Sequence, residues 1–329
     1  MLKKCLTFVD QILMPEGTAR RRLANSVRRK QPAQDRDLPV DRSLLRPIFI
    51  VGCMRSGTTL LADLLGRSSE VVYCGFELRD IWSKIGKVPM ASQKTRDERC
   101  PALGELDATK ELAVLLGNAF REKMTSLQAG KSDNAVFLSK NPHLCNKLPF
   151  VKALFPGARF IWISRGLPDV VASLRNLFDR NDRRKDVWYY WPEKTARETR
   201  CWNCFFGESP PSVVERSRCF PGGDVKYLAE YWLENNRAVA DFRAILRPDE
   251  MLTVTAEELV SDTRSVIARC LAFLGIVPEP SVFEDHCIDP GRNGRWKEIL
   301  SPAEVLSLDS FMEEFQVDIG KITRCRTGA

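Results

Sequence analysis

Short apolar runs alternate with amphipathic stretches along most of the chain. The apolar runs are three to five residues long and rich in branched and aromatic side chains, so they predict strands over 48–51, 71–73, 136–139, 160–164 and 252–255. Apolar positions at helical spacing predict helices over 59–66, 108–127, 145–154, 168–178, 225–246 and 262–274. Short strands joined by helical crossovers are typical of a parallel sheet covered on both faces. The sequence therefore predicts an α/β fold of three layers, with a central parallel sheet flanked by helices.

Residues 180–224 interrupt this alternation. They are rich in Trp, Tyr, Pro, Arg and Cys, and they contain Pro210-Pro211 and Gly222-Gly223. A long excursion of this kind is usually a functional lid or a disordered loop, and the aromatic content favours a lid-like insertion. Its aromatic side chains suit either a surface that stacks on sugar rings and apolar chains or a packed core of the lid itself. They are Trp188, Tyr189, Tyr190, Trp191, Trp202, Phe205 and Phe206.

The positive charge of the chain is concentrated at its beginning. The net charge is +7, and residues 1–46 carry eleven Lys and Arg against five Asp and Glu. We therefore divide the chain into a basic N-terminal extension, 1–46, and one domain, 47–329. The extension is most simply solvated or partly disordered, although a membrane-surface helix, and hence peripheral membrane contact, is an alternative. Since aromatic residues are not interleaved with the basic ones, no nucleic-acid partner is expected.

The eleven cysteines are scattered and odd in number. Reduced, buried thiols are the simplest interpretation, and they favour a cytoplasmic location. Cys201, Cys204 and Cys219 are grouped in the insertion, where a zinc ion or a local disulfide is the alternative to free thiols. No run approaches the roughly 20 apolar residues that a membrane-spanning helix needs.

The first strand runs into a loop that is typical of phosphate binding. Residues 52–57 are bounded by two glycines and are followed by a helical pattern, so several backbone N–H groups and the positive end of a helix dipole would converge on one point. The spacing from Gly52 to Gly57 matches a nucleotide P-loop, but Thr58 stands where the NTPase lysine belongs. The nearest cation is Arg55. The sequence predicts a phosphate site, and ordinary ATP or GTP hydrolysis is not expected.

A second anion site is predicted after the strand at 160–164. Arg165 ends this strand, Pro168 suits the first turn of the next helix, and Ser173 lies on a helix face that can turn back towards Arg165. An arginine fork beside a hydroxyl is a good phosphate grip. Taken alone, Arg165 could instead form a surface ion pair.

Together, the two sites resemble the sulfotransferase superfamily, whose members use 3′-phosphoadenosine 5′-phosphosulfate (PAPS). The resemblance rests on Arg-Ser-Gly-Thr-Thr at 55–59 and on Arg-x₇-Ser at 165–173. Residues 139–142 and 74–79, described next, favour the bacterial glycan and tyrosylprotein-like branch. It implies a P-loop sulfotransferase fold. It also implies that Arg55, Ser56, Gly57, Thr58 and Thr59 cradle the 5′-phosphosulfate, while Arg165 and Ser173 hold the 3′-phosphate.

Two further segments resemble catalytic motifs of this superfamily. Ser139-Lys140-Asn141-Pro142 is similar to its Lys-x-Pro strand end, which implies that Lys140 contacts the sulfonate and the bridging oxygen. Residues 74–79 are similar to the tyrosylprotein segment that carries the general base, and this makes Glu77 the base candidate. A surface carboxylate is the alternative for Glu77, and His143 is a weaker base candidate.

Residues 291–297 are similar to the late Gly-x-x-Gly-x-Trp-Lys loop, which closes over the donor nucleotide in the superfamily. The resemblance implies donor contacts from Arg292, Gly294, Arg295 and Trp296. Cytosolic members carry a basic pair before the first glycine, where this chain has Asp289 and Pro290. Arg292 or Arg295 would have to substitute for that pair.

The resemblance implies in-line transfer of a sulfuryl group from PAPS, which leaves adenosine 3′,5′-bisphosphate (PAP), to a hydroxyl or amine. Glu77 would accept the proton, and Lys140 and Arg55 would stabilise the growing charge without a metal ion. The acceptor is predicted to be a glycan, a glycolipid or another small molecule, with a peptide tyrosine left open. A P-loop nucleotide kinase or hydrolase and a catalytically silent nucleotide-binding scaffold are the competing hypotheses.

Overall fold

The computed structural model describes residues 46–75, 77–88, 102–176, 187–190, 203–206, 217–220, 223–284, 288–289, 291 and 293–315. Strands within 187–220 are described by their backbone alone. The predicted basic extension, Arg292, Cys201, Trp191, Trp202 and the other residues between these ranges lie outside the described part. The extension's boundary and its membrane contact stay predictions.

Five parallel strands form the central sheet, as the hydrophobic pattern predicted. The strands are β1 (Ile48–Val51), β2 (Val71–Tyr73), β3 (Val136–Lys140), β4 (Arg159–Ser164) and β8 (Met251–Thr255). Their order across the sheet is β2-β3-β1-β4-β8. β1 lies in the middle and pairs Ile50 with Lys140 on one side and with Ile161 on the other. From β1 the chain passes to the edge strand β2 and returns through β3, whereas from the neighbouring β4 it passes to β8 at the opposite edge. The connections that leave β1 and β4 thus run in opposite directions, so β1 lies at the switch point where ligands bind in such sheets.

Helices cover both faces of this sheet, and each predicted helix is present with small differences at its ends. They are α1 (Thr58–Leu65), α2 (Lys110–Leu127), α3 (Leu148–Leu154), α4 (Leu167–Arg175), α5 (Val225–Ala244), α6 (Ala256–Ser261), α7 (Thr263–Leu274), α8 (Trp296–Ile299) and α9 (Pro302–Glu314). Short π or 3₁₀ turns lie at Ile81–Ile85, Glu105–Asp107, Pro142–Lys147 and Pro280–Phe283. The predicted helix at 145–154 is in fact a 3₁₀ turn followed by α3, with a non-helical Asn146 between them.

Alternate residues of each strand feed two separate cores. Phe49 and Trp162 belong to the core beneath α2–α5, whereas Ile50 and Ile163 belong to the core beneath α1 and α7. In the first core Phe49 is fully buried and its ring lies 6.0–6.3 Å from those of Trp82, Phe120, Phe155 and Phe160. Truncating such a phenylalanine to alanine costs about 3–5 kcal/mol. The sheet therefore gives the loops at its carboxyl edge a rigid base.

The insertion contains a second, antiparallel sheet that the sequence analysis did not predict. Its order is β6-β5-β7, with β5 at Val187–Tyr190, β6 at Asn203–Phe206 and β7 at Cys219–Phe220. Cys204 and Cys219 lie on the two strands that flank β5. Their side chains lie outside the described part of the structure, so the zinc ion or local disulfide considered for the insertion stays a prediction.

Among the helices described, none combines the length and the apolar character needed to cross a bilayer. Within the same ranges, no group of three His, Cys, Asp or Glu side chains is arranged to hold a metal ion. The four described cysteines whose side chains are resolved, Cys53, Cys74, Cys145 and Cys270, are buried free thiols.

Candidate active site

The loop after β1 has the backbone of an anion cradle. Gly52 has φ +154°, and a Cβ there would lie 2.1 Å from the carbonyl oxygen of Ile163, so a larger residue does not fit. Gly57 has φ +89° and begins α1 without a side-chain cap. The first N–H groups of α1 are therefore available to a ligand, with the helix dipole behind them. The Ser56 N–H, in contrast, donates within the loop to the Cys53 carbonyl, at 3.2 Å.

Arg55 links this loop to the second predicted anion site. It has a left-handed φ of +69°, which is costly for a residue with a side chain. Its Nε donates to Ser173 Oγ at 2.9 Å, and its carbonyl accepts from Arg165 Nη1 at 3.1 Å. The tyrosine hydroxyl of Tyr231 further accepts from the Met54 N–H at 3.2 Å. These contacts from α4, α5 and the end of β4 hold the loop in its strained conformation.

One cleft brings the two predicted anion sites together. Its empty volume, including the open mouth, is about 700 Å³. Gly57, Thr58 and Thr59 line it from one side, and Arg165 and Arg55 line it as well. Apolar groups form the remaining wall together with one amide side chain. These residues are Leu60, Ala256, Leu259, Val260 and Asn293.

The described residues of the late loop make contacts that the sequence did not predict. Arg295 Nη2 pairs with Asp289 Oδ2 at 2.7 Å, and Asp289 Oδ1 accepts from the Gly291 N–H at 2.9 Å. Trp296 packs against the core beneath α2–α5. Of the described residues in this loop, Asn293 lines the cleft, whereas Gly294, Arg295 and Trp296 are not part of its lining. Their donor contacts, and those of Arg292, stay predictions.

A second charged cluster lies at the ends of β2 and β3, beside the phosphate loop. Lys140 Nζ is 2.8 Å from Glu77 Oε1, and Arg79 Nε is 2.7 Å from Glu77 Oε2. Asn141 Nδ2 donates to the Glu77 carbonyl at 2.9 Å and so fixes the backbone there. His143 Nε2 lies 3.0 Å from Arg79 Nη2 and 3.7 Å from Glu77 Oε2. The structure thus brings Glu77, Lys140 and His143 together and adds Arg79.

The charges of this cluster set its protonation. Burial disfavours the ionised form of Glu77, but Lys140 and Arg79 outweigh it and hold the pKa of this carboxyl well below its usual range. Burial and the neighbouring Arg79 lower the pKa of His143 to about 3, so its imidazole is neutral at pH 7. Since arginine only donates, Nε2 of His143 must accept the Arg79 bond. This bond occupies the nitrogen that would take up a proton.

Read across the carboxyl edge of the sheet, the two clusters form one row. Glu77 follows β2, Lys140 ends β3, the phosphate loop follows β1, Arg165 follows β4 and the apolar wall begins after β8. The sequence analysis named Glu77, Lys140 and Arg165 in this row. It did not name Arg79, Asn141, Asn293 or the apolar wall. The position of Ala256, directly after a strand of the sheet, was the available signal for that wall.

A parallel sheet with a glycine-bounded phosphate loop after its central strand defines a P-loop-type α/β protein. Residues 47–207, just under half of the chain, match the model of the Sulfotransferase family, as the motifs predicted. The chain is 31% identical over 131 residues to an uncharacterized protein of Aquifex aeolicus, and this match covers 39% of the chain and 16% of that protein. It is 32% identical over 151 residues to protein-tyrosine sulfotransferase A of Caenorhabditis elegans, with 42% of this chain and 37% of that protein covered. The chain thus spans well under half the length of either relative.

Among solved structures, the chain is similar to the sulfotransferase domain of the Synechococcus PCC 7002 olefin synthase. The two share 17% identity and a TM-score of 0.47, and the similarity covers 88% of this chain and 99% of that domain.

Proposed function

We propose that this protein is an enzyme that transfers a sulfuryl group from PAPS to a hydroxyl or amine acceptor. The observation that carries the proposal is the single cleft lined by both Arg165 and residues 57–59. A nucleotide with phosphate groups at both its 3′ and 5′ positions needs two anion sites on one cleft, whereas ADP needs a single phosphate cradle. The match of residues 47–207 to the Sulfotransferase family supports the same activity.

The residues of the cleft fit the donor by chemistry. The uncapped start of α1 and its dipole suit the 5′-phosphosulfate. Arg165 offers a planar fork for the 3′-phosphate. Arg55 connects it to Ser173, because the Arg55 carbonyl accepts from Arg165 and the Arg55 side chain donates to the Ser173 hydroxyl. The apolar wall of Leu60, Ala256, Leu259 and Val260 suits the adenine ring.

In the proposed reaction the acceptor oxygen or nitrogen attacks sulfur in line with the leaving 5′-phosphate, and the acceptor's proton moves to Glu77. A well-placed general base contributes about 10²–10⁴ in rate. While Lys140 stays 2.8 Å away, the depressed pKa makes Glu77 a weak base. When Lys140 turns to the sulfonate and the bridging oxygen, it stabilises the charge growing there and leaves Glu77 more basic. Donor engagement and base activation are thereby linked through one lysine.

The acceptor would bind at the β2 and β3 end of the row, where Glu77 lies. A glycan, a glycolipid or another small molecule is the acceptor class we propose, because the sequence of the insertion within the domain is rich in aromatic residues. A peptide tyrosine is the second candidate, and the similarity to protein-tyrosine sulfotransferase A supports it. We further propose a cytoplasmic location, supported by the four buried free thiols.

Titration calorimetry with PAP and with ADP tests the proposal against its rivals. We expect PAP to bind at least about tenfold more tightly than ADP, because only PAP offers Arg165 a 3′-phosphate to bind. Tighter binding of ADP would favour a nucleotide kinase or hydrolase. Preference for PAP without any transfer to an acceptor would favour the silent scaffold.

A further inference from the structure

Asp169 joins the end of β4 to the late loop. It lies in the first turn of α4 and is 8% exposed. Its Oδ1 accepts from Arg165 Nη2 and from the Gly294 N–H, both at 3.2 Å. One buried carboxylate oxygen therefore contacts both Arg165, which we propose binds the 3′-phosphate, and the backbone of the late loop.

Glu257 makes a second connection between the same two segments. Its Oε1 accepts from the Gly166 N–H at 2.9 Å, and its carbonyl accepts from Asn293 Nδ2 at 3.3 Å. Glu257 lies on α6, which is separate in sequence from both segments. The two acidic residues thus hold Arg165 and Gly166 on one side and Asn293 and Gly294 on the other.

These contacts fix the orientation of two cleft-lining side chains, Arg165 and Asn293, without a bound nucleotide. Arg165 Nη2 is held by Asp169 and Nη1 by the Arg55 carbonyl, so the plane of the guanidinium is fixed. Bidentate recognition of a phosphate depends on that plane. Asn293, which lines the cleft together with Arg165, is held through Glu257. A carboxylate would repel a phosphate that it faced directly, but Oδ1 of Asp169 is engaged by Arg165 and Gly294 instead.

We propose that Asp169, assisted by Glu257, is a positioning residue for the 3′-phosphate of the nucleotide. It acts by orienting Arg165 and by fixing the late loop opposite it. This inference rests on the proposed donor. The two acidic residues would thereby fix the position of the late loop. In this chain, Asp289 and Pro290 stand before that loop in place of a basic pair. Loss of the Asp169 charge should weaken the binding of nucleotides that carry a 3′-phosphate. It should leave the binding of nucleotides without one nearly unchanged.

Calorimetry on the full chain tests this with two probes, PAP and adenosine 5′-phosphate. For Asp169→Asn we expect the dissociation constant of PAP to rise about tenfold, the loss of one charge-assisted hydrogen bond. That of adenosine 5′-phosphate should change less than about twofold. Asp309→Asn, an exposed carboxylate on α9, is the matched control and should change neither. In an Arg165→Ala background, Asp169→Asn should add no further loss, because the group that it positions is gone.

Equal losses for both probes, or full additivity with Arg165→Ala, would mean that Asp169 only supports the fold, and either result overturns the proposal. An unchanged PAP affinity overturns it as well. Should Asp169→Asn not fold by circular dichroism, Glu257→Gln carries the same test with an expected PAP-selective loss of about threefold. If the wild-type protein itself shows no preference for PAP over adenosine 5′-phosphate, the proposed donor is wrong. If that preference is present and both variants keep it, only this inference fails.

Discussion

Replacing Lys140 by methionine removes one charge and keeps most of the side chain's volume. Lys140 is 8% exposed, and its Nζ is 2.8 Å from Glu77 Oε1. Glu77 would retain Arg79 at 2.7 Å as its remaining cation. The substitution thus removes the proposed stabiliser of the sulfonate and half of the positive charge around the proposed base.

The substitution should change three measurable quantities: kcat, the free energy of unfolding and the affinity for PAP. Deleting one preorganised donor from a reacting centre lowers kcat by about 10²–10³, and we expect a loss in that range. Breaking a fully buried ion pair costs about 3–5 kcal/mol, but Glu77 keeps Arg79 and both partners retain some contact with water. We therefore expect a loss of unfolding free energy of about 1–2 kcal/mol. PAP affinity should change less than about threefold, because PAP lacks the sulfonate and keeps only one of the two groups that Lys140 would contact, the former bridging oxygen.

The assays are transfer of labelled sulfur at saturating PAPS, calorimetry with PAP, and urea unfolding. Lys84→Met is the matched control, since Lys84 pairs with Asp80 at the same 2.8 Å but both side chains are about two-thirds exposed. Exposed pairs contribute about 0–1 kcal/mol, and this variant should retain full turnover. A Lys140→Met protein that turns over normally at saturation but has lost PAP binding would refute the role given to Lys140.

Three other substitutions test separate parts of the site. Arg165→Lys keeps the charge but loses the planar fork, so calorimetry should find PAP bound at least about tenfold more weakly and ADP little changed; equal losses would contradict 3′-phosphate recognition. Gly52→Ala forces a Cβ to within 2.1 Å of a carbonyl oxygen, so the urea midpoint should fall by the equivalent of about 3 kcal/mol, and a fully stable variant would contradict the loop geometry. His143 has a pKa of about 3 when folded, so the unfolded chain alone gains a proton as the pH drops below about 6.5. Wild-type stability should therefore fall by about 1–2 kcal/mol between pH 6.5 and pH 5, and most of that fall should be absent from His143→Gln when both are unfolded in urea; an equal fall would mean that His143 is protonated in the folded state.

The central sheet was readable from sequence because its strands are buried on both faces. Each run of apolar residues marked a strand, and the errors are single residues at strand ends. Lys140, Arg159 and Met251 each extend a strand by one residue beyond its predicted range, because the backbone pairing includes them. Burial explains where a strand lies but not where its ladder ends.

Other elements were missed for two different reasons. Helix α9 carries a legible start signal, since Ser301 and Glu304 form a capping box around Pro302, but a helix with few buried positions gives a weak apolar pattern. Strands β5 and β6 pair across a twelve-residue connection, and no tight-turn signal lies between them. Such pairing depends on contacts that are distant in sequence.

In the candidate site, motif resemblance named residues that lie close together in the structure, but it did not predict the contacts among them. Lys140 and Glu77 were both named from sequence, whereas their contact and the addition of Arg79 depend on how the β2 and β3 ends meet. For Arg295 the resemblance implied a donor contact, which stays a prediction, and the structure adds an ion pair with the Asp289 carboxylate. A charged residue in a motif is expected to form an ion pair, but which residue it pairs with depends on the three-dimensional structure.

The most direct test of the account is transfer of sulfur-35 from labelled PAPS, in the presence of an extract from the native host, to an acceptor. We expect a labelled product with the wild-type protein, and little or none with Lys140→Met, although that variant still binds PAP. Incorporation by Lys140→Met at the wild-type rate would contradict the mechanism. Label that stays entirely in PAPS with the wild-type protein, in extracts where a known sulfotransferase produces labelled products, would contradict the proposed activity itself.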